Sequence, residues 1–313
     1  MTRAICIGEC MVELRATAEN TFARAYAGDA YNAAVYLKRS LPDAQVQFLS
    51  AAGDDATSRA MRDAWVLEGI DDTLAFTAAG GLPGLYLIET DTRGERRFEY
   101  WRSNSAARRW FELLQAEGES VLWGADLIYF SGISIAILNS NERSAAIELL
   151  RRVRTRVGYI AFDPNVRLAL WETAQIAAQS IEAALAICDI ALPSSEDIAR
   201  LFRLDGPEQQ TNLLLKMGVR ELALTLGSSG CLVVDGGVRT RLPAPAAAIV
   251  ADTSGAGDAF NGAYLARRLC GASAVEAAQA GLLVGSRVVG HAGAIVPASI
   301  SHPRDPQAPS SLS

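Results

Sequence analysis

Residues 159–165 read YIAFDPN, a short apolar run that ends in a polar turn. Apolar residues at helical spacing precede this run at 141–158 and follow it at 173–189. Further runs of the same kind stand at 5–8, 46–53, 126–134, 187–193 and 221–227. This alternation of strand and helix predicts a mostly parallel α/β sheet with helices on both faces, in which ligands bind beyond the carboxyl ends of the strands.

Two segments break the alternation. Residues 10–27 and 83–102 have alternating, aromatic-rich patterns, and the turn DTRGE divides the second segment into the halves of a β-hairpin. We predict a small β lid beside the α/β body. No linker separates two autonomous units, so we expect one domain over 1–299 and a flexible, Pro/Ser-rich tail over 300–313.

Composition excludes several classes of function. Half of the 313 residues are hydrophobic, which predicts a compact fold, and the net charge of −6 argues against a nucleic-acid partner. No apolar run approaches the roughly 20 residues of a membrane span, and the N-terminus lacks the pattern of a signal peptide. We therefore expect a cytoplasmic protein without a membrane partner. The five cysteines form no C-x-x-C pair, which favours reduced thiols.

Scarce residue types narrow the chemistry further. Neither Lys38 nor Lys216, the two lysines, stands in the phosphate-loop pattern G-x-x-x-x-G-K-[ST]. The two histidines, His291 and His302, leave little room for Ser-His or Cys-His catalysis or for a histidine metal site. The first strand also lacks the dinucleotide pattern G-x-G-x-x-G. We expect carboxylates and arginines to carry the chemistry.

The string TSGAGDAFNG, at 253–262, has the residues of a phosphate-binding turn. Gly255 and Gly257 allow the backbone to approach a ligand closely, and the helix predicted over 259–269 would direct free N–H groups at an anion. Asp258 could then accept the proton of a hydroxyl that attacks the bound phosphate. An acid in this position also commonly caps a helix, so the turn by itself leaves both roles open.

Three motifs together resemble the ribokinase-like, or PfkB, family of sugar kinases: DTSGAGDAFNGA (252–263), GD-x-x-N (28–32) and TLGSSG (225–230). Segments 7–14, 28–37, 84–107, 129–138 and 162–171 more narrowly resemble the branch of that family that phosphorylates 2-keto-3-deoxygluconate. The resemblance extends from residue 5 to about residue 297. It implies a three-layer α/β sandwich with a mostly parallel central sheet and a small β lid. It also implies ATP as donor, Mg²⁺, and phosphorylation of the 6-hydroxyl to give 2-keto-3-deoxy-6-phosphogluconate.

The resemblance also implies roles for individual residues. Asp258 would be the general base, and Gly255, Ala256 and Gly257 the anion hole. The implied substrate contacts are Gly28, Asp29, Asn32, Tyr86, Tyr100, Arg102 and Arg167. Arginines suit a sugar acid, because guanidinium groups bind carboxylates through paired, charge-assisted hydrogen bonds. Ordinary alternatives are strand packing for the two tyrosines and a solvated surface position for the two arginines.

The nucleotide and metal residues follow from the same resemblance. The nucleotide contacts would be Asn165, Ser194, Thr225, Gly227, Ser228 and Gly230. Where many members have Asn-x-x-Glu near the magnesium, this chain has Ser194 and Asp197, so Glu196 or Asp197 is expected to hold Mg²⁺ through water. Asp252 and the turn at 292–294 resemble a loop for a monovalent cation such as K⁺, and a purely structural turn is the alternative.

Rival functions remain open on the sequence. A kinase of a neutral ketose such as fructose would not need Arg102 and Arg167. An aldolase would need a Schiff-base lysine at a buried strand end, which neither lysine provides. A non-catalytic sugar-acid sensor would have no need of Asp258 between its motif glycines. The lid hairpin could also pair with a second lid in a homo-oligomer.

Overall fold

The computed structural model describes residues 1–18, 21–90, 96–245 and 250–302. The strands are β1 (Arg3–Ile7), β2 (Met11–Ala18), β3 (Thr21–Ala27), β4 (Gln45–Ala52), β5 (Ala75–Thr77), β6 (Gly84–Thr90), β7 (Arg96–Trp101), β8 (Leu127–Ser131), β9 (Tyr159–Asp163), β10 (Ile190–Ala191), β11 (Glu221–Thr225), β12 (Cys231–Asp235) and β13 (Val238–Leu242). The helices are α1 (Asp29–Ser40), α2 (Ala56–Leu67), α3 (Trp110–Glu117), α4 (Gly132–Ala136), α5 (Ser140–Val153), α6 (Ala174–Leu185), α7 (Ser195–Phe202), α8 (Pro207–Lys216), α9 (Ala256–Leu269), α10 (Ala274–Val288) and α11 (Ala298–Ser301). Short 3-10 helices lie at Ala106–Arg109, Glu119–Leu122, Arg154–Arg156, Leu168–Leu170 and Gly227–Ser229.

The large sheet has the order β13-β12-β11-β10-β9-β8-β1-β4-β5 over the described ranges. Seven neighbouring strands of this sheet run parallel, in the order β11-β10-β9-β8-β1-β4-β5. At the other edge, β12 pairs antiparallel with β11, and β13 pairs antiparallel with β12. Each strand predicted from the alternation is present. The sheet is therefore mostly parallel, as the sequence predicts.

Helices cover both faces of this sheet. On β1, Ile5 and Ile7 pack in the cluster that contains side chains of α3, α5 and α6. Ala4 and Cys6, which point to the opposite face, pack in the cluster that contains side chains of α1, α2, α9 and α10. This alternation along a strand buried on both faces produces a three-layer sandwich and confirms the predicted fold class.

The lid is a separate sheet of order β3-β2-β6-β7. β2 pairs antiparallel with β3 and parallel with β6, and β6 pairs antiparallel with β7 from Leu85–Trp101 to Thr90–Arg96. The two predicted lid segments thus form one sheet. The predicted turn at 91–95 lies outside the described residues. Met11, Ala27, Tyr86 and Ile88 of the lid cluster with Ala294 of the body, which identifies the face of the lid that packs on the body.

The start of the predicted tail differs from the expectation. Ser301 is fully buried, and Nε2 of His302 lies 2.7 Å from Oγ of Ser40 at the end of α1. Residues 300–302 thus pack on the body, because Ile300 of the short helix α11 contacts the apolar cluster that contains Val284 and Val288 of α10. Composition alone does not reveal this contact. Residues 303–313 lie outside the described residues. None of the described helices is long and apolar enough to cross a membrane.

Candidate active site

The N-terminus of α9 forms the centre of the site. Gly255 is the N-cap with φ +73°, and a Cβ on it would lie 2.4 Å from the carbonyl oxygen of Ala294, so this position needs glycine for its conformation and for the close approach. A Cβ on Gly257 would meet no atom within 4 Å, because Gly257 faces open space. The first amides of α9 are therefore accessible to an anion.

Asp258 lies in the first turn of α9 beside the N-terminus of α1. Among the described residues, the one hydrogen bond to its carboxylate comes from Nδ2 of Asn32, at 2.8 Å from Oδ2. Helix amides do not occupy this carboxylate in the described structure, so it is not acting as a helix cap. Burial and the negative charge of Asp29 raise the pKa of Asp258 to about 7, against the opposing effects of Asn32 and Arg167.

Gly28 allows α1 to begin this close to the end of β1. A Cβ at Gly28 would lie 2.0 Å from the carbonyl oxygen of Glu9, which no larger residue could tolerate. Asp29 and Asn32 on the first turn of α1 are thereby brought to the cleft. Gly28, Asp29, Asn32 and Asp258, predicted from two motifs far apart in sequence, meet in one place.

A buried polar network lies behind Asp258. Asn165 donates from Nδ2 to Asp29 at 2.7 Å, and its backbone N–H donates to Asp163 at 3.0 Å. The other oxygen of Asp163 accepts from Nδ2 of Asn261 at 2.8 Å, and the same nitrogen lies 3.2 Å from the hydroxyl of Tyr129. Burial and the charges of the neighbouring aspartates raise the pKa of Asp163 well above its ordinary value. The network connects the ends of β8 and β9 to α1 and α9.

The lid contributes tyrosines to the opposite wall of the cleft. Tyr86 stands between Glu13 and Tyr100 in register, and its ring centre lies 5.6 Å from that of Tyr100. Because the hydroxyl of Tyr86 donates to Glu13, the aromatic ring is the part of Tyr86 that is left to contact a ligand. Tyr100 is more than half exposed. Burial raises its pKa, while the positive charges of Arg102 and Arg167 oppose that shift.

The two arginines predicted to bind a carboxylate have different surroundings. Arg102 is ion-paired with Glu9, and the side chain of Glu9 is 1% exposed. The side chain of Arg167 is 52% exposed, and its Nη1 lies 3.7 Å from Oδ1 of Asp197. Arg167 is therefore the more available cation, because a loose contact with Asp197 competes less than a buried ion pair.

A cavity of about 1000 Å³ adjoins the first turn of α9. It is lined by the predicted nucleotide residues Ser194, Thr225, Gly227, Ser228 and Gly230, and also by Glu196, Ala256 and Gly257. Its size suits a nucleotide, and two of the three predicted anion-hole residues, Ala256 and Gly257, are part of its lining. Asn165 is not among the lining residues, because its side chain binds Asp29 on the other side of Asp258.

The predicted metal residues lie at the N-terminus of α7. Oγ of Ser194 accepts from the backbone N–H of Asp197 at 3.1 Å and caps this helix. Burial raises the pKa of Asp197, whereas the side chain of Glu196 is exposed and lines the cavity. No cluster of three or more metal-binding side chains occurs in the described part of the chain. Of the two acids, Glu196 is among the residues that line the cavity and Asp197 is not, so Glu196 is the better placed to meet, through water, a Mg²⁺ held by nucleotide phosphates.

Asp252 and the turn at 292–294 meet, as the resemblance implies. Oδ2 of Asp252 accepts from the backbone N–H of Gly293 at 2.8 Å, and Oδ1 accepts from that of Ser254 at 2.7 Å. The carboxylate is also ion-paired with Arg96 of the lid. The prediction of a monovalent cation at Asp252 stays a prediction, and Arg96 already supplies a positive charge there.

Sequence reasoning did not single out several residues of the site, namely Glu9, Glu13, Arg96, Asp163 and Asn261. Four of them stand within recognised motifs: Glu9 and Glu13 in IGECMVEL, Asp163 in FDPN and Asn261 in GDAFNG. The motifs were the available signal, but they do not reveal which acids are buried or which partners they meet. Arg96 stands in an arginine-rich hairpin, which by itself indicates a solvated face.

Comparison with known proteins agrees with this geometry. Residues 1–300 match the pfkB family of carbohydrate kinases. The chain is 39% identical to the 2-dehydro-3-deoxygluconokinase of Dickeya dadantii over 298 residues, covering 93% of this chain and 96% of the relative. It is 34% identical to that of Haemophilus influenzae, covering 96% and 98%. The crystal structure of a PfkB protein from Polaromonas sp. JS666 superimposes with a TM-score of 0.81 at 26% identity, covering 92% of this chain and 96% of that one. The chain belongs to the pfkB family of carbohydrate kinases.

Proposed function

We propose that the protein transfers the γ-phosphoryl group of ATP to the 6-hydroxyl of 2-keto-3-deoxygluconate, also called 2-dehydro-3-deoxygluconate, and forms 2-keto-3-deoxy-6-phosphogluconate. The observation that carries the proposal is the position of Asp258. Its carboxylate is bound by Asn32 and lies in the first turn of α9, next in sequence to Ala256 and Gly257, which line the nucleotide-sized cavity. The names of the curated relatives support this substrate.

The carboxylate of Asp258 acts as the general base. The amide of Asn32 holds Oδ2, which leaves Oδ1 for the attacking hydroxyl. A pKa of about 7 keeps a substantial share of Asp258 ionised at neutral pH while making it basic enough to accept the proton. The amides of Gly255, Ala256 and Gly257 stabilise the charge on the transferring group. Glu196 and Asp197 would hold Mg²⁺ through water, and the ion would neutralise phosphate charge there.

Arg167 binds the carboxylate of the substrate. The acids that surround Asp258 would repel an anionic substrate, although burial raises the pKa of Asp163 and of Asp197 above the ordinary value. The guanidinium of Arg167 supplies the attraction. Arg102 acts mainly by holding the lid wall, since Glu9 already pairs with it. Tyr86 and Tyr100 pack against the sugar chain, and Asn165 positions Asp29 rather than the nucleotide.

The test is ADP release by the purified protein with MgATP and one acceptor at a time. We expect turnover with 2-keto-3-deoxygluconate or its galactonate-derived epimer and none with fructose, ribose or gluconate. Turnover confined to fructose or ribose would replace the proposal with the neutral-sugar kinase. Absence of turnover with all five acceptors would favour the sugar-acid sensor.

The outer face of the lid supports a homo-oligomer. Phe22 on β3 and Trp101 on β7 point away from the body and are about half exposed, which is costly in water for large apolar side chains. Pairing of two lids would cover them. Analytical ultracentrifugation tests this: we expect a dimer for the native chain and a monomer for Phe22→Asp/Trp101→Asp, and a native monomer would contradict it.

We also propose a cytoplasmic location, because the proposed reaction uses ATP.

A further inference from the structure

Strand β7 of the lid carries a guanidinium group to the segment that leads into α9. Nη1 of Arg96 pairs with the carboxylate of Asp252 and lies 3.1 Å from Oγ of Ser254. Nη2 of the same side chain donates to the carbonyl oxygen of Ala251 at 3.0 Å. One lid residue therefore binds three oxygen atoms from residues 251–254, just before Gly255.

These contacts form an organised site rather than a chance surface ion pair. The side chain of Asp252 is 4% exposed, and backbone amides of Ser254 and Gly293 occupy its two oxygens from the other sides. A buried carboxylate with two amide donors still needs a counter-charge, and a planar guanidinium can satisfy several acceptors at once. The side chain of Arg96 is itself only about one quarter exposed.

The same region of the lid contacts the turn at 292–294. A Cβ built on Gly293 would lie 3.0 Å from Nη2 of Arg15 on β2, and Ala294 packs against Tyr86 and Ile88. Gly255 in turn lies directly against the backbone of Ala294. The lid, this turn and the N-cap of α9 are therefore packed together, and Arg96 adds an ion pair with Asp252 to this packing.

We propose that Arg96 is a positioning residue for phosphoryl transfer. Its guanidinium fixes residues 251–254 so that the amides of Gly255–Gly257 and the carboxylate of Asp258 face the transferring group. Because Arg96 belongs to the lid, it couples the position of the lid over the substrate to the geometry of the anion hole. The inference rests on the proposed kinase function and adds a residue that contacts neither the sugar nor the nucleotide.

The kinetic test compares Arg96→Ala and Arg96→Lys with Arg97→Ala. Arg97 is the matched control, since it is next on β7 but points outward, is 76% exposed, and pairs with Glu99 at 3.1 Å. We expect Arg96→Ala to lower kcat by about 10- to 100-fold, less than or near the loss of one oxyanion donor, with KM for the sugar acid changed less than about threefold. Arg96→Lys should recover part of kcat, and Arg97→Ala should match the native enzyme.

A purely structural role for Arg96 would give a different result. If Arg96 only held the lid on the substrate, Arg96→Ala would raise KM and leave kcat unchanged, which would overturn the proposal. Equal kinetics of Arg96→Ala and Arg97→Ala would overturn it as well. Thermal melting checks that both variants unfold cooperatively.

A second measurement does not require turnover. Calorimetric titration with AMP-PNP and with ADP separates the terminal phosphate from the rest of the nucleotide. We expect Arg96→Ala to weaken AMP-PNP binding about fivefold or more and ADP binding less than about twofold, because the anion hole faces the terminal phosphate. If the native protein phosphorylates no sugar acid, the proposed function fails while this titration still decides the role of Arg96. Equal loss for both nucleotides, or none, would then refute it.

Discussion

The side-chain amide of Asn32 donates a hydrogen bond to Oδ2 of Asp258 over 2.8 Å, although the two residues are 226 positions apart. This contact joins the first turn of α1 to the first turn of α9. It orients the carboxylate and stabilises its ionised form, because the hydrogen bond lowers the pKa that burial and Asp29 raise. The reactivity of Asp258 is thus set by residues from two distant motifs.

Replacement of Asp258 by Asn should leave the fold intact and lower kcat by at least about 100-fold, the scale expected for loss of a general base. The Asn side chain keeps an oxygen that can accept from Asn32 but cannot take the proton of the hydroxyl. Steady-state ADP release measures the effect, with circular dichroism as the folding control. Near-native kcat would contradict the role of Asp258.

The pH dependence of kcat/KM should show an acid limb near pH 7. Only the ionised form of Asp258 can act as base, so activity should fall about tenfold per pH unit below its pKa of about 7 and level off above it. Asn32→Ala should move the limb to higher pH, and Asp29→Asn should move it lower. Shifts in the same direction for both variants would show that the limb belongs to another group.

The stability of Asp258→Asn relative to the native protein should also depend on pH. Folding raises the pKa of Asp258 from 3.8 to about 7, so between these values the folded state binds more protons and the native protein loses stability as pH rises. The variant lacks this loss. The Tm of the variant minus the Tm of the native protein should therefore increase from pH 4 to pH 7 and then stay constant. A difference in Tm independent of pH would contradict the raised pKa.

Arg167→Ala should raise KM for the sugar acid by about 10-fold or more and leave kcat within about threefold. A contact with a non-reacting carboxylate is made equally in the ground state and the transition state, so it contributes uniform binding. Arg200→Ala is the control, because Arg200 also lies near Asp197, at 3.5 Å, but on the outer side of α7. Equal KM values for the two variants would remove Arg167 from the substrate site.

Glu9→Gln should destabilise the protein by about 3 kcal/mol, because it leaves Arg102 largely buried without its counter-charge. The double variant Glu9→Gln/Arg102→Met should regain much of this loss. Glu112→Gln, which removes one partner of the exposed Arg109–Glu112 pair, should change stability little. Urea unfolding compares the four proteins. A double variant no more stable than Glu9→Gln would show that the loss does not come from an unpaired Arg102.

The fold was largely predictable from local patterns. YIAFDPN and the similar runs are short, apolar and followed by turns, and these features determine buried parallel strands whatever the partners are. The packing of residues 300–302 was not predicted, because the burial of Ser301 involves Arg39 of α1, 262 positions earlier in the chain. Within the candidate site, the glycines and Asp258 were recognisable because a phosphate-binding turn restricts residue types and spacing together.

The sequence by itself determined the three-layer α/β class, the small lid and the motifs that assemble around Asp258, since periodicity and turn chemistry are local properties. Tertiary structure alone decided which charges neutralise one another. It paired Arg102 with Glu9 and Arg96 with Asp252, directed Asn165 to Asp29 and left Arg167 half exposed. The physical reason is that ion pairing and desolvation depend on distances of a few ångströms between residues far apart in the chain, and those distances exist only once the lid and the body have packed.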